Sequence, residues 1–372
     1  MGARIAVVGG GIAGSLLALR LAELLGGSHV ELYRDPTTSG LDATSVSGGL
    51  VRGFETELEE CRLAVASLAE LRSDPVLAHE CGYRESSSCY FLRPEVDPAG
   101  QLAVLDTFVG GSARLVPAGQ AARELGFGSR PEGTFAVVER YAGHIDPDAM
   151  RRYATRRAAQ LGAQVHDQPV TAVGAGPVVT LADGVVRHAD VVVVAAGAWT
   201  GALLPIPLRT RRIQYGVYPL PPAGLGCFVD ELSTLYGRAY GDEAVLLGVA
   251  TSAWGAAPGD NTPDPAYADR VSAVARTVLA LAERLPPPRW LAAGVDCFAA
   301  EGGLRLRPVV GLPGVFSFTG GAGSAVKSVL ASSRLAATEL CVTTTGHPPS
   351  FCYPGPSPVL TQPDQGADTA LR

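Results

Sequence analysis

Apolar and polar positions change period along this chain in a way that spells out its first elements. Residues 4–8, Arg-Ile-Ala-Val-Val, form a short apolar run that reads as a buried parallel strand. Gly9-Gly10-Gly11-Ile12-Ala13-Gly14 interrupts it as a tight turn. From Ser15 to Leu25 the apolar residues recur at helical spacing, until Gly26-Gly27 stops the pattern. His29 to Tyr33 returns to strand character, which completes a strand-turn-helix-strand unit.

Further along, Leu58 to Arg72 is amphipathic and predicts a second helix. Between Cys81 and Glu139 the pattern breaks into short strands and turns, such as residues 88–92 and 134–138. Asp146 to Leu161 is helical again, with Asp146 placed to cap it and Pro147 in its first turn. Val170 to Leu181 and Val185 to His188 predict strands around the turn Asp183-Gly184, and Asp190 to Ala196 predicts a central buried strand. Residues 211–255 read as antiparallel sheet, and Tyr267 to Leu285 as a helix stopped by three consecutive prolines. Gly314 to Phe318 is a last strand, and residues 319–324 turn into the helix Ala325 to Leu340.

The expected fold class is therefore α/β, a Rossmann-type dinucleotide-binding domain joined to an antiparallel β-sheet substrate domain of α+β character. The first would comprise residues 1–80, 140–210 and 295–345, and the second residues 81–139 and 211–294. Residues 346–372 are Pro-rich and polar and read as an extended tail. A chain of 372 residues is too long for one compact core, which agrees with two domains.

Composition narrows the function. The net charge is −6 and there is no long basic run, which argues against nucleic acid or an anionic membrane as partner. The seven cysteines are irregularly spaced with no CxxC, and the six histidines are dispersed, so no metal site or redox dithiol is expected. Scattered thiols fit a reducing compartment. The apolar N-terminus lacks a basic leading region and is broken by three glycines, and no apolar run of membrane-spanning length occurs elsewhere; a soluble cytoplasmic protein is expected. Of the 30 basic residues 29 are Arg, which singles out the one Lys, Lys327.

Gly9-x-Gly11-x-x-Gly14 has the spacing of a dinucleotide turn in the right context, after a strand and opening a helix. Gly9 permits the turn, Gly11 lets the backbone approach a pyrophosphate, and Gly14 lets helix and strand pack. The helix N-terminus, with Ile12 and Ala13, then offers N–H groups to phosphate. The acidic residue that should follow at the end of the second strand is displaced: Arg34 stands there, with Asp35 next. Either Asp35 serves the ribose or the site is altered, and Arg34 beside a ribose keeps an NADP-type 2′-phosphate open.

Five segments, in order, resemble the D-amino-acid oxidase-like superfamily of FAD-dependent oxidoreductases, with sarcosine oxidase and glycine oxidase as relatives. They are residues 8–14; Ala43-Thr44-Ser45-Val46-Ser47-Gly48-Gly49; Gly143-His144-Ile145-Asp146-Pro147; Val194-Ala195-Ala196-Gly197-Ala198-Trp199-Thr200; and Phe318-Thr319-Gly320-Gly321-Ala322-Gly323-Ser324-Ala325-Val326-Lys327. The resemblance implies FAD as cofactor. It implies that Thr44 and Ser45 meet the pyrophosphate and that Val170 meets adenine. Ala196, Gly197 and Trp199 would close over the adenine half, and Gly320, Gly321, Gly323, Ser324 and Lys327 would lie under the flavin. Cys297 matches a cysteine that the sarcosine oxidase branch tethers to flavin; a buried strand cysteine is the alternative, and the favoured one.

The same resemblance assigns Lys327 and Arg52 to a substrate carboxylate and adds Arg307 as a third cation from the amino-acid oxidase branch; Tyr236 is a further catalytic candidate. A cation in the first turn of a helix is unfavourable with the helix dipole, so Lys327 is poorly explained as a surface residue. The pattern departs at Leu246, where sarcosine oxidase-like enzymes carry a Lys that promotes reaction with oxygen, and at Ser324, near the place of a family His. The implied activity is FAD-dependent oxidation of a C–N bond of an amine or amino acid, with hydride passing to flavin and an imine as product. A dehydrogenase using another acceptor, or a flavin-binding assembly subunit, remains open. So do a carrier-tethered substrate and a role in secondary metabolism.

Overall fold

The computed structural model describes residues 3–222 and 224–346, the side chains of Ser324 and Thr345 apart. The expected tail, beyond Gly346, lies outside the described residues. Two large sheets organise the rest.

The first sheet has six strands in the order Arg305–Pro308, Val315–Thr319, Val191–Val194, Ile5–Val8, Val30–Tyr33 and Gln164–His166. All neighbours are parallel except the edge strand Arg305–Pro308. Alternate residues of Ile5–Val8 enter different cores, as the two-residue strand period requires. Ile5 and Val7 pack with the helices Ile12–Leu25, Pro147–Gln160 and Ala325–Thr345. Ala6 and Val8 pack on the other face, against a small antiparallel sheet formed by Val170–Gly174, Val178–Leu181 and Val186–His188. Burial on both faces explains why the strand reads as a continuous apolar run.

The second sheet runs Trp290–Ala299, Leu208–Tyr218, Val245–Gly248, Tyr236–Ala239, Cys227–Asp230, Arg84–Phe91, Phe135–His144 and Leu50–Val51, with Ala113–Pro117 also paired to Phe135–His144. Phe91, Tyr218, Phe228 and Tyr267 fill its main core, beneath the helices Ala118–Leu125 and Ala266–Val278.

Several elements differ from expectation. Residues 81–139 hold two helices, Ala99–Phe108 and Ala118–Leu125, besides strands. The first has little apolar contrast along it, and Leu105 packs under the helix Leu58–Ser73 through Cys61 and Val65. The helix expected over 267–285 ends at Val278, because Ala280 takes a left-handed conformation with φ 50° and Gly128 N–H caps the Val278 carbonyl.

Strands also cross the expected segment boundaries. Phe135–His144, Leu208–Tyr218 and Trp290–Ala299 each run through one, and Leu50–Val51 of the first segment joins the second sheet. Trp290–Ala299 links the two sheets. Phe298 bridges to Gly321, so the far end of this strand reaches the turn after Val315–Thr319 in the first sheet.

Candidate active site

Every parallel strand of the first sheet delivers its C-terminal end to the same crevice, the expected ligand position in an open α/β sheet. There a cleft of about 790 Å³ is lined by Gly9, Gly11, Ile12, Ala13, Arg34, Asp35, Thr44, Val170, Ala196, Gly197, Trp199, Cys297, Gly320 and Gly321. Stretches of chain far apart in sequence thus bring most of the cofactor candidates together.

The glycine turn is shaped by close packing. Gly9 has φ 123°, and a Cβ there would stand 2.4 Å from the Ala195 carbonyl oxygen. A Cβ on Gly14 would meet the Gly9 carbonyl oxygen at 2.0 Å. Gly11 differs: a Cβ would meet only Thr44 Oγ1, at 3.4 Å, and would otherwise project into the cleft. Gly11 is also the N-cap of the helix Ile12–Leu25, which has no side-chain cap and no acid in its first turn. A helix N-terminus whose N-cap residue has no side chain, beside a bare backbone, fits the pyrophosphate of a dinucleotide. Thr44 Oγ1 accepts the Ile12 N–H at 3.0 Å and ties the 40–49 loop to this turn.

Arg34 and Asp35 line the cleft but already have partners. Arg34 bonds Asp167 through Nε at 2.9 Å and Nη2 at 2.5 Å. Asp35 accepts from Thr37 N–H at 2.9 Å and Thr37 Oγ1 at 2.6 Å. An Arg neutralised by Asp167 is poorly prepared for a 2′-phosphate, which disfavours the NADP alternative. Ser45 lies against Asp42 and Asp148 and does not line the cleft.

Gly320, which also lines the cleft, adopts φ 86°, where a Cβ would press on Ala299 at 2.5 Å. Ala322 follows with φ 50°, unusual for a residue with a side chain and a mark of local strain. Cys297 Sγ sits 3.0 Å from Thr319 Oγ1. Burial pushes the Cys297 thiol above its ordinary value, although Thr319 acts against the shift.

A second cavity of about 330 Å³ adjoins the cleft and shares Ile12, Ala43, Thr44, Asp296, Ala322 and Ala325 with it. Arg52, Tyr236, Gly323 and Lys327 line this cavity, and Ser45 does not. Tyr236 donates its hydroxyl proton to the Gln214 carbonyl at 3.2 Å. The side chain of Ser324 lies outside the described residues.

Arg307 is the cation that does not join the group. Its guanidinium donates to the carbonyls of Arg305, Thr319, Gly302 and Gly303, and it lines neither cavity. It staples the loop before its strand, a correction to its assignment as a substrate-binding residue. Leu246 is wholly buried against Val217, Ala244, Tyr215 and Tyr236, behind the cavity wall.

Three acids escaped the sequence reading. Glu55 Oε1 lies 2.7 Å from Arg52 Nη2 and 3.0 Å from Lys327 Nζ; the two cations are buried, and the Glu55 side chain is only 12% exposed. Burial would raise the Glu55 carboxyl, but Arg52 and Lys327 hold it below the usual carboxylate range. Burial lowers the Lys327 ammonium despite Glu55. Two cations and one anion leave this cluster one net positive charge.

Glu139 accepts the N–H groups of Gly53 at 3.0 Å and Phe54 at 2.7 Å, which fixes the loop after Arg52; burial raises its carboxyl to about 7. Asp296 is buried between the two cavities, and burial raises it to about 6 against the pull of Arg211 and Lys327. The signal for Glu55 was the Arg-x-x-Glu spacing from Arg52. For Asp296 it was a lone charge inside the apolar run Leu291–Phe298.

The chain is similar throughout to known flavoproteins. No curated protein matches it in sequence. Among solved structures, glycine oxidase from Bacillus cereus superposes with a TM-score of 0.70 at 18% identity, over 93% of this chain and 96% of that one. L-Proline dehydrogenase from P. horikoshii gives 0.73 at 16% identity, over 93% and 94%. NikD, an unusual amino acid oxidase essential for nikkomycin biosynthesis, gives 0.72 at 21% identity, over 93% and 95%. These likenesses establish the fold. The model of the FAD dependent oxidoreductase family matches residues 4–339, and with its glycine-lined cradle the chain belongs to that family and is an FAD-dependent oxidoreductase.

Proposed function

We propose that the enzyme oxidises the C–N bond of a small amine that carries an acidic group, an amino acid or N-alkyl amino acid, to the imine. The observation that carries this reading is the Arg52–Glu55–Lys327 cluster, whose two buried cations line a cavity adjoining the dinucleotide cleft. One net positive charge on buried side chains favours an anionic group, and a guanidinium and an ammonium suit different edges of a carboxylate. The names of the similar structures, two amino-acid oxidases among them, point the same way.

FAD, when bound, supplies the two-electron acceptor. The chain's own residues do the rest. Gly11 and the Ala13 N–H at the start of the helix would hold the pyrophosphate, Gly9 and Gly14 shape the turn by close packing, Thr44 buttresses it through the Ile12 N–H, and Val170 and Trp199 would flank the adenine end. Gly320, Gly321 and Gly323 leave room for the ring system, and Lys327 and Arg52 orient the substrate through its acid group. The cavity of about 330 Å³ restricts the substrate to a small molecule or the end of a larger one.

The test is the visible spectrum of the purified protein, followed by anaerobic addition of primary, N-methyl and cyclic amino acids beside neutral amines of equal size. Bleaching of the flavin band by acid-bearing amines is expected. Bleaching by neutral amines alone, or by none of either class, overturns the reading.

A second question is the electron acceptor. Leu246 offers no charge where the sarcosine oxidase-like pattern has a Lys. We infer slow reaction with oxygen and a different physiological acceptor. Air reoxidation of the bleached protein, compared with reoxidation by an artificial quinone, measures this directly; faster reoxidation by air is the result that sinks it.

A further inference from the structure

Among the described residues Asp296 is the one acid common to both cavities, and it stands on the second sheet's strand Trp290–Ala299. Only 7% of it is exposed. Its Oδ2 is buried without a hydrogen-bond partner, and among the described residues no base forms an ion pair with it. A Cβ built on Gly323 would lie 3.8 Å from that oxygen, so the carboxylate faces the glycine turn. A buried acceptor left unsatisfied is expensive, and native proteins rarely keep one without a reason. A partner that arrives with a ligand is such a reason.

The groups around it are mainly cationic. Arg211 stands opposite in the strand register, on Leu208–Tyr218, and its guanidinium packs over Phe298 and Trp254 rather than onto the acid. Lys327 acts on it from the C-terminal helix. Tyr236 on Tyr236–Ala239 and Cys297 on its own strand are the other titratable neighbours. Lys327 is held by Glu55, and Arg211 by its aromatic neighbours. The free oxygen of Asp296 is thus left for something in the cavity.

We propose that Asp296 receives the substrate's amino group at the junction of the two cavities, while Arg52 and Lys327 take its acid group. This rests on the amino-acid reading of the site and names the residue that reads the other end of the molecule. It also gives the amine's proton a destination. An amino acid arrives as the ammonium, which has no lone pair to assist loss of hydride from carbon. Asp296 takes that proton: an N–H bond breaks, an O–H bond forms on the carboxylate, and the electron pair stays on nitrogen. A carboxyl titrating near 6 can hold the proton during the reaction and release it afterwards near neutral pH.

The test compares two probes, N-methylglycine and methoxyacetate, in the FAD-loaded protein after reduction with dithionite, so that the flavin cannot oxidise either one. They share a carboxylate and a shape, and differ in having an amine or an ether at the same position. Affinities are read calorimetrically without oxygen, for wild type, Asp296→Asn and Asp296→Ser. Wild type should prefer N-methylglycine, with the preference growing as pH rises through about 6 and the carboxyl ionises. Both variants should weaken N-methylglycine about tenfold or more, flatten the pH dependence, and leave methoxyacetate within about twofold. Two variants guard against a local packing failure, and equal FAD content reports the fold. If the preference for N-methylglycine survives in both, or both probes weaken equally, the role of Asp296 is overturned while the amino-acid reading stands. If wild type binds neither probe, the underlying reading fails and takes this proposal with it.

Discussion

Lys327 Nζ lies 3.0 Å from Glu55 Oε1, in a part of the protein where both side chains are almost wholly shielded from water. Arg52 reaches the same oxygen at 2.7 Å. Glu55 itself lines neither cavity, whereas both cations line the second. The acid thus permits two like charges to be buried side by side. Glu55→Gln keeps the shape and removes that compensation. Breaking a buried ion pair from one side costs about 3–5 kcal/mol, so urea unfolding of the FAD-loaded variant should show a loss of that order. Stability within about 1 kcal/mol of wild type would mean that the cluster is wetter or less coupled than its geometry indicates.

Lys327→Met should behave differently. It leaves Arg52 and Glu55 as a neutral pair and removes the net positive charge. Losing one charge-assisted contact weakens an anionic substrate about ten- to hundredfold, read as Kd in anaerobic titration, with FAD content near normal. Arg52→Met should do the same and lose the stacking on Tyr90, where the guanidinium carbon lies 5.0 Å from the ring centre. Should both variants bind and turn over substrate like wild type, the substrate has no acid group.

Gly11 and Gly14 serve different purposes, and mutation separates them. Gly11 has open cleft before it and Gly14 has the Gly9 carbonyl. Gly11→Val should therefore give a folded, soluble protein without flavin absorbance, even after incubation with FAD. Gly14→Val forces helix and strand apart and should lower the melting temperature of the flavin-free protein as well. A colourless but equally stable Gly14→Val, or a yellow Gly11→Val, contradicts this division.

The nucleotide half of the site could be read from the chain because its determinants are local. Gly9, Gly11 and Gly14 lie within one turn of chain, between a strand and a helix that announce themselves by period. The substrate half could not be assembled in the same way. Arg52 and Glu55 meet Lys327 where the C-terminal helix packs on Leu50–Val51 and Leu58–Ser73, and Asp296 comes to the same cavity on Trp290–Ala299, whose far end bridges to the turn at Gly321. The resemblance offered Arg307 as a third cation beside Lys327 and Arg52, and only the backbone carbonyls gathered around Arg307 set it apart. The helix Ala99–Phe108 escaped because its burial depends on a neighbouring helix, not on an apolar stripe of its own.

Glu139 makes stability depend on pH in a stated direction. Its carboxyl, ordinarily near 4.5, is raised to about 7 by burial, so the folded protein holds a proton that the unfolded chain releases. That contribution is fully present below about 4.5, and it is lost as pH rises through about 7. Asp296 acts with the same sign, through about 6. Glu139→Gln, which cannot ionise, should therefore lose less stability than wild type between about pH 5 and about pH 8. Unfolding midpoints across that range provide the check, and parallel curves for the two proteins would show that Glu139 does not carry the linkage.

Cys297 bears on how the flavin is held. It lines the cleft, but its Sγ rests 3.0 Å from Thr319 Oγ1, and burial keeps the thiol protonated above its ordinary range. The thiolate is the nucleophile in sulfur chemistry, so a buried thiol with no cation acting on it among the described residues is poorly prepared to bond to a ring carbon. The nearest acid in sequence, Asp296, works further against ionisation. Acid precipitation should accordingly leave the yellow colour in the supernatant, and Cys297→Ser should retain FAD as well as wild type does. Colour in the pellet would require the thiol to be activated once FAD is bound. Cys297→Ser would then release the flavin on acid treatment, and the cysteine would have to be counted among the residues that hold the cofactor rather than among those that pack the strand.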